Sequence, residues 1–249
     1  MYRFFAGFLV CAALYAIAVA QDGVAQAPQA TAVAPNSATD IAAAEANRTL
    51  MVRRPEWISG PDPDFPDSEK ALGHNGDIIV RGLLGTDGHL RYASIETSSR
   101  APALDASALA AATAASYRPA EDANHQPIAV MLSAPMKFYA YRSREGVGAA
   151  RYTCGQFVLD MDWWRSAFPE RRMQDHEFYT MIFGLSVISR MHQGAERAFS
   201  AESTAAFTRR WLASIETCRN HADWRFAQAI HPEGDIIDRL AARQAPGAH

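Results

Sequence analysis

The sequence predicts an α+β protein in which a three-stranded antiparallel sheet with two helices is followed by a small all-α domain. Apolar residues alternate with a period of two in residues 77–98 and 127–138, and they recur with helical period in residues 151–249. The 249 residues are 49 % hydrophobic and 20 % charged, with a net charge of -3. That composition excludes a wholly disordered chain and disfavours a dedicated nucleic-acid binder, which relies on positive charge.

The N-terminus has the layout of a secretory signal peptide over residues 1–20. Arg3 precedes an uncharged run from Phe4 to Ala20, and Ala18-Val19-Ala20 forms an A-x-A cleavage pattern. The run is shorter than the roughly 20 apolar residues that span a bilayer. An uncleaved membrane anchor is the alternative, and both interpretations place the following chain outside the cytoplasm.

Two cysteines follow the leader, Cys154 and Cys218. In an oxidising compartment two thiols most simply form one disulfide, and we predict this bond. The alternative makes Cys154 a nucleophile with His176, His192 or His221 as its base. That interpretation leaves Cys218 unexplained.

Residues 21–60 are predicted to form a flexible tether. They hold ten Ala and three Pro, and no helical or strand period persists apart from a short candidate helix at Ile41 to Leu50. Trp57 is the one large apolar residue near the end of this segment, and we expect it to pack onto the following domain.

Residues 61–140 are predicted to form one domain of mixed helices and strands. The predicted elements are a helix from Ser68 to Gly73, strands at residues 77–85 and 90–98, a helix at residues 104–116 and a strand from Pro127 to Phe138. Asp87-Gly88 suits a hairpin turn, because glycine tolerates the positive φ that such turns demand. Pro135 cannot donate a backbone hydrogen bond, so the last strand is predicted to lie at a sheet edge.

Residues 151–249 are predicted to form a helical domain. The predicted helices run from His176 to Met191, from Ala201 to Arg219 behind a Ser200 cap, and from Asp235 to Ala242. Asp160 and Asp162 resemble metal ligands in type, but no third ligand follows at a recognisable spacing. We therefore interpret them as the solvated start of a helix.

A series of short motifs follows a fixed order through residues 61–140. They are Phe65-Pro66, Gly76 to Val80, Asp87 to Leu90, Ser98-Ser99, Leu104-Asp105 with Ala108-Leu109, Tyr117 to Ala120, and Pro127-Ile128 with Phe138. In this combination they resemble the C-terminal domain of the TonB family of energy transducers. Arg100 departs from the family pattern, which has Gly after the Ser pair.

The resemblance implies a non-enzymatic periplasmic module that binds an extended peptide and needs no cofactor. In that family, the N-terminal segment of an outer-membrane transporter pairs with the last strand of the domain. The matching residues here are Pro127, Ile128, Ala129, Val130, Met131, Leu132 and Ser133. Strand addition requires an exposed edge, and the alternative is an edge covered by the helical domain.

Two departures from the family leave other functions open. Residues 4–20 contain no His, and the long Pro-rich spacer of a full transducer is missing. We therefore predict a periplasmic non-enzymatic binding protein whose partner is an outer-membrane transporter or another envelope protein, and the retention of energy coupling stays open. The alternatives are an inner-membrane-anchored energy transducer and a secreted enzyme with its site in residues 151–249, which would need clustered titratable groups in a pocket.

Overall fold

A computed structural model describes residues 35–142, 148–192, 194 and 200–244, which belong to one compact unit. These residues combine helices with a three-stranded antiparallel sheet, which confirms the predicted α+β class. The predicted signal peptide or anchor at residues 1–20 lies outside the described residues. Within the described ranges, no helix is both long enough and apolar enough to cross a membrane.

The secondary structure follows the predicted order and adds elements at both ends of the sheet domain. In chain order the elements are α1 (Pro35–Ala46), β1 (Glu56–Ser59), α2 (Asp67–Ala71), β2 (Gly76–Leu84), β3 (Leu90–Thr97), α3 (Pro102–Ala114), β4 (Ser116–Arg118), β5 (Ala120–Glu121), β6 (Pro127–Ile128), β7 (Val130–Phe138), α4 (Gly148–Arg151), α5 (Cys154–Ala167), α6 (Glu177–His192), α7 (Ala201–Asn220), α8 (Phe226–Ala229) and α9 (Glu233–Gln244). Short 3-10 helices cover Asn47–Thr49 and Met173–Asp175.

The main sheet has the strand order β3-β2-β7, so that β7 is an edge strand, as Pro135 predicts. β2 pairs with β7 from Gly76 opposite Phe138 to Leu84 opposite Val130. The predicted hairpin joins β2 to β3, and its Gly88 has a φ of 79°. Alternation places Ile78, Val80 and Leu84 on one face of β2, where all three are fully buried.

Two hydrophobic cores organise the described residues. The sheet core lies between the sheet and α3, and the helical core surrounds Trp211 with the aromatic residues of α5, α6 and α8. Tyr139 and Tyr141, just after β7, already belong to the helical core. The predicted domain boundaries at 61–140 and 151–249 stay a prediction, although each predicted domain contains most of one core.

Two helices of the helical region, α5 and α7, begin at residues whose side chains cap them. Thr153 Oγ1 accepts a hydrogen bond from the Gln156 N–H at 3.2 Å at the start of α5. Ser200 caps α7 in the same way through the Ser203 N–H, which confirms its predicted role. The predicted disulfide is also present between Cys154 and Cys218, and it joins α5 to α7.

The helical region docks on the corner between α2 and β2. Asn75 is buried there and its Nδ2 donates to the carbonyls of Gly73 at 2.8 Å and Asp160 at 3.2 Å. Trp163 Nε1 donates to the Asn75 carbonyl at 3.3 Å, and the Trp163 ring lies 4.1 Å from the His74 ring. Gly73 has a φ of 72°, and a Cβ there would meet the Leu159 backbone at 2.5 Å. The sharp turn and the close approach both require glycine at this corner.

The prediction of a flexible tether is wrong for residues 35–59. α1 lies against β7 and buries Ala44, and the Glu45 carboxylate accepts a hydrogen bond from Arg81 at 3.2 Å. Farther along, β1 pairs with β4 in an antiparallel ladder. The sequence did not predict this structure because contacts with the sheet domain hold the segment in place. Its Ala-rich composition shows no apolar stripe that would indicate a packed helix or strand. The candidate helix at Ile41 to Leu50 corresponds to the end of α1 and the 3-10 turn after it.

Candidate functional site

The residues predicted to bind peptide occupy two different strands. Pro127 and Ile128 form β6 and pair with β5, which also accepts backbone hydrogen bonds from residues 52 and 53 at Glu121. They are therefore not part of the main sheet edge, and the prediction that Pro127 and Ile128 bind peptide in one strand with the next five residues is wrong. Ala129 interrupts the strand, and Val130, Met131, Leu132 and Ser133 open β7 on the edge itself.

Pro135 indicates which backbone groups of β7 are available. It lies opposite Ile79 and has no N–H, so this pair receives no donor from β7. In an antiparallel ladder, residue pairs whose N–H and C=O groups bond each other alternate with pairs whose N–H and C=O groups point away from the partner strand. The N–H groups in phase with Pro135 are those of Met131, Ser133 and Lys137. The carbonyl of Ala129, in the same phase, accepts a hydrogen bond at 2.9 Å from Asn47 Nδ2, outside the main sheet.

Within the described residues, no backbone group from another element bonds the outer side of β7. That side is bordered by cavities on both faces of the sheet. The outer cavity has a volume of about 640 Å³. Its lining residues are Ala44, Glu45, Arg48, Met51, Arg54, Pro55, Arg81 and Val130 to Ser133.

The inner cavity, about 360 Å³, borders the same strand on the side of α3. Its lining residues are Pro55, Trp57, Pro61, Asp62, Pro63, Ala111, Ala115, Tyr117 and Leu132 to Met136. Trp57 does not pack down onto the sheet domain as predicted, because its side chain remains 58 % exposed at the rim of this cavity. Its indole instead provides an apolar wall beside the edge.

The helical region does not line either cavity along Val130 to Met136. Its ion pair with β7 lies near the far end of the strand, where Lys137 Nζ is 3.7 Å from Glu177 Oε1. Burial raises the pKa of the Glu177 carboxyl, and Lys137 opposes that shift. The segment that approaches the edge is therefore residues 44–57 rather than the helical region.

The helical region buries a carboxyl group where the sequence predicts a solvated one. Asp160 lies in the middle of α5, 3 % exposed, and accepts hydrogen bonds from the Tyr152 hydroxyl and, at 2.6 Å, from Gln156 Nε2. Burial raises the pKa of Asp160 to about 7, although these two hydrogen bonds act in the opposite direction. Asp162 instead points outward and pairs with Arg219. The two carboxylates therefore serve different partners.

The histidines proposed as bases do not form a catalytic group with Cys154, whose sulfur is in the disulfide. His176 is 2 % exposed and packs edge-on against Trp164, and neither of its ring nitrogens has a hydrogen-bond partner among the described residues. Burial lowers the pKa of His176 to about 3. His221 stacks on Trp224. In the part of the chain that the structure describes, no three His, Cys, Asp or Glu side chains are grouped to hold a metal ion.

Residues 61–139 match the family model described as Gram-negative bacterial TonB protein C-terminal. This segment is therefore similar to the TonB C-terminal domain, as its motifs predict. The match covers about a third of the chain. A search of curated proteins returned no match.

The TonB C-terminal domain indicates a TonB-like protein of the cell envelope that takes part in transport or partner binding. Domains of this type bind and transduce energy rather than catalyse reactions. Sequence reasoning assigned no role in the site to three residues that line the two cavities from outside the matched segment, namely Arg48, Arg54 and Trp57. The two arginines and the isolated Trp were visible in the sequence, but only the path of residues 44–57 past β7 brings them to the edge.

Proposed function

We propose that the chain is a non-enzymatic periplasmic binding protein whose TonB C-terminal domain captures an extended segment of an envelope partner, such as an outer-membrane transporter. The observation that supports this proposal is the outer side of β7, an edge strand that no backbone group of another described element bonds and that is bordered by cavities on both faces. An edge strand offers unpaired N–H and C=O groups to a visiting chain. The visiting chain would become a fourth strand of the sheet.

The groove supports strand addition rather than the binding of a compact ligand. An added strand lies about 4.8 Å from β7, and its side chains alternate between the two sheet faces. The outer cavity borders Val130 to Ser133 and the inner cavity borders Leu132 to Met136, so side chains on each face have space along part of the strand. The N–H groups of Met131, Ser133 and Lys137 are in phase to donate to the visitor.

Export supports the same function. The leader predicted at residues 1–20 would direct the chain out of the cytoplasm, and a disulfide between Cys154 and Cys218 suits an oxidising compartment. A periplasmic location puts β7 within reach of segments that outer-membrane proteins present on their inner side. The binding function requires no cofactor.

Met131→Pro tests the proposal at a single backbone donor. The substitution removes the N–H that faces the free edge and leaves the β2 ladder intact, much as Pro135 does. We expect the full chain to bind peptides from transporter N-terminal segments about fivefold to tenfold more weakly, the equivalent of one net hydrogen bond. Isothermal titration measures the affinity, and chemical denaturation checks that the fold is retained.

Met131→Ala is the matched control, because it truncates the side chain and keeps the N–H. It should bind within about twofold of the parent if the backbone provides most of the recognition. Ser133→Pro removes a second donor in the same phase and replaces Met131→Pro if that variant is unstable. Equal affinities for the Pro and Ala variants, or no binding of such peptides by the unaltered chain, would contradict strand addition at β7.

A further inference from the structure

We propose that the segment captured by β7 is an amphipathic strand, with carboxylates on one face and apolar side chains on the other. Arg48 and Arg54 would select the acidic face, and Trp57 would contact the apolar face. All three residues precede the family match at residues 61–139. The inference rests on the proposed strand addition and specifies the chemistry of the partner.

Arg48 and Arg54 are both exposed and both line the outer cavity with Val130 to Ser133. Hydrogen bonds made by the residue just before each arginine fix the segment that carries them. Asn47 directly precedes Arg48, and its Nδ2 donates to the Ala129 carbonyl at 2.9 Å. Arg53 directly precedes Arg54, and its N–H donates to the Glu121 carbonyl at 3.2 Å. Both guanidinium groups are thus carried on backbone that is anchored to the domain.

The surrounding basic side chains already have acidic partners. Arg81 binds Glu45 at 3.2 Å and Glu96 at 3.3 Å, and its charge is therefore balanced within the domain. Two further ion pairs join Arg53 to Glu121 and Arg118 to Glu56.

Arg48 and Arg54 differ from these neighbours. Neither guanidinium group forms an ion pair or a side-chain hydrogen bond among the residues that the structure describes. Two unpaired guanidinium groups therefore stand beside the same stretch of strand edge, in a chain whose net charge is negative. A carboxylate is the group that a guanidinium binds with two parallel hydrogen bonds.

The two cavities differ in chemistry because they lie on opposite faces of the sheet. The inner cavity lies on the α3 face, where Ala111, Ala115 and Tyr117 join the Trp57 ring as largely apolar lining. The outer cavity is lined by Arg81 and the two unpaired arginines, none of which lines the inner cavity. Since side chains of a strand alternate between faces, a matching visitor has acidic residues at positions i and i+2 and apolar residues between them.

Three synthetic peptides, each as long as β7, test this pattern on the full chain. The first alternates apolar and acidic residues, the second replaces the acidic residues by Gln, and the third has the composition of the first but places its acidic residues next to each other. We expect the first to bind about fivefold more tightly than the other two at low salt, as two exposed ion pairs allow. The advantage should shrink as salt screens the pairs.

The variant Arg48→Glu/Arg54→Glu should reverse this preference, and Arg239→Glu is the control. Arg239 is an exposed arginine in α9 that lines neither cavity, so its variant should keep the preference. Equal binding of the first and second peptides by the unaltered chain, or a preference that survives Arg48→Glu/Arg54→Glu, would overturn the acidic selection and leave strand addition intact. Failure of all three peptides to bind would contradict the proposed function and this inference together.

Discussion

Replacing Cys154 and Cys218 together by Ala lowers the free energy of unfolding by about 4 kcal/mol. The disulfide links residues 64 apart in sequence, and a cross-link of that span removes roughly 4 kcal/mol of chain entropy from the unfolded state. Both sulfur atoms lie in the helical core and both residues are fully buried. The bond therefore fastens α5 to α7 at the position where the two helices already pack.

Denaturant titration of the oxidised protein and of Cys154→Ala/Cys218→Ala measures this effect through the midpoint and slope. A reductant provides the matched control. It should shift the unaltered chain towards the midpoint of the double variant and leave the double variant unchanged. Equal midpoints for the oxidised chain and the double variant would show that the disulfide does not stabilise the helical region.

Asp160→Asn makes the protein more stable than the unaltered chain above about pH 7 and removes that advantage in acid. Burial raises the folded-state pKa of Asp160 to about 7 from its ordinary value of 3.8. The folded state therefore holds a proton that the unfolded state releases. The resulting stability is fully present below pH 3.8 and is lost as the pH rises through 7. Its full size is on the order of 4 kcal/mol.

His176 makes the free energy of unfolding depend on pH in the opposite direction. Burial lowers its folded-state pKa to about 3 from 6.5, so that the unfolded state takes up a proton first on acidification. Stability from His176 is therefore lost as the pH falls below 6.5. In the unaltered chain the two groups oppose each other between about pH 4 and 6.5. In the Asp160→Asn variant only the His176 effect remains, so the free energy of unfolding of this variant should decrease steadily as the pH is lowered through this window.

Denaturation of both proteins at a series of pH values measures the difference between the two curves. Asp162→Asn is the matched control, because Asp162 lies two residues away, is half exposed and pairs with Arg219 on the surface. Its curve should run within about 1 kcal/mol of the parent at every pH. Parallel curves for Asp160→Asn and the unaltered chain would contradict the burial of a protonated Asp160.

Local patterns predicted the sheet domain well. Alternation and the Asp87-Gly88 turn determine the β2–β3 hairpin, and Pro135 identifies β7 as an edge. Ser200 and the apolar stripes placed α6 and α7 close to their observed bounds. These features depend on neighbours in sequence, and a single chain is enough to recognise them.

The features that sequence reasoning missed depend on contacts between distant residues. α1 buries little more than Ala44, and β1 pairs with a strand about 60 residues later, so neither leaves an apolar pattern. Asp160 is buried because α5 docks on the α2–β2 corner, where its carbonyl accepts a hydrogen bond from Asn75. The two arginines of the outer cavity reach β7 for the same reason, through the wrapping of residues 44–57.

Amide hydrogen exchange of the full chain, with and without a transporter N-terminal peptide, tests strand addition at β7 most directly. The N–H groups of Met131, Ser133 and Lys137 point to the free edge and should gain protection when the peptide binds. Those of Leu132 and Ala134, which are in phase to bond β2, should change little. Unchanged exchange at Met131, Ser133 and Lys137 with a saturating, bound peptide would contradict the account and place the binding site elsewhere.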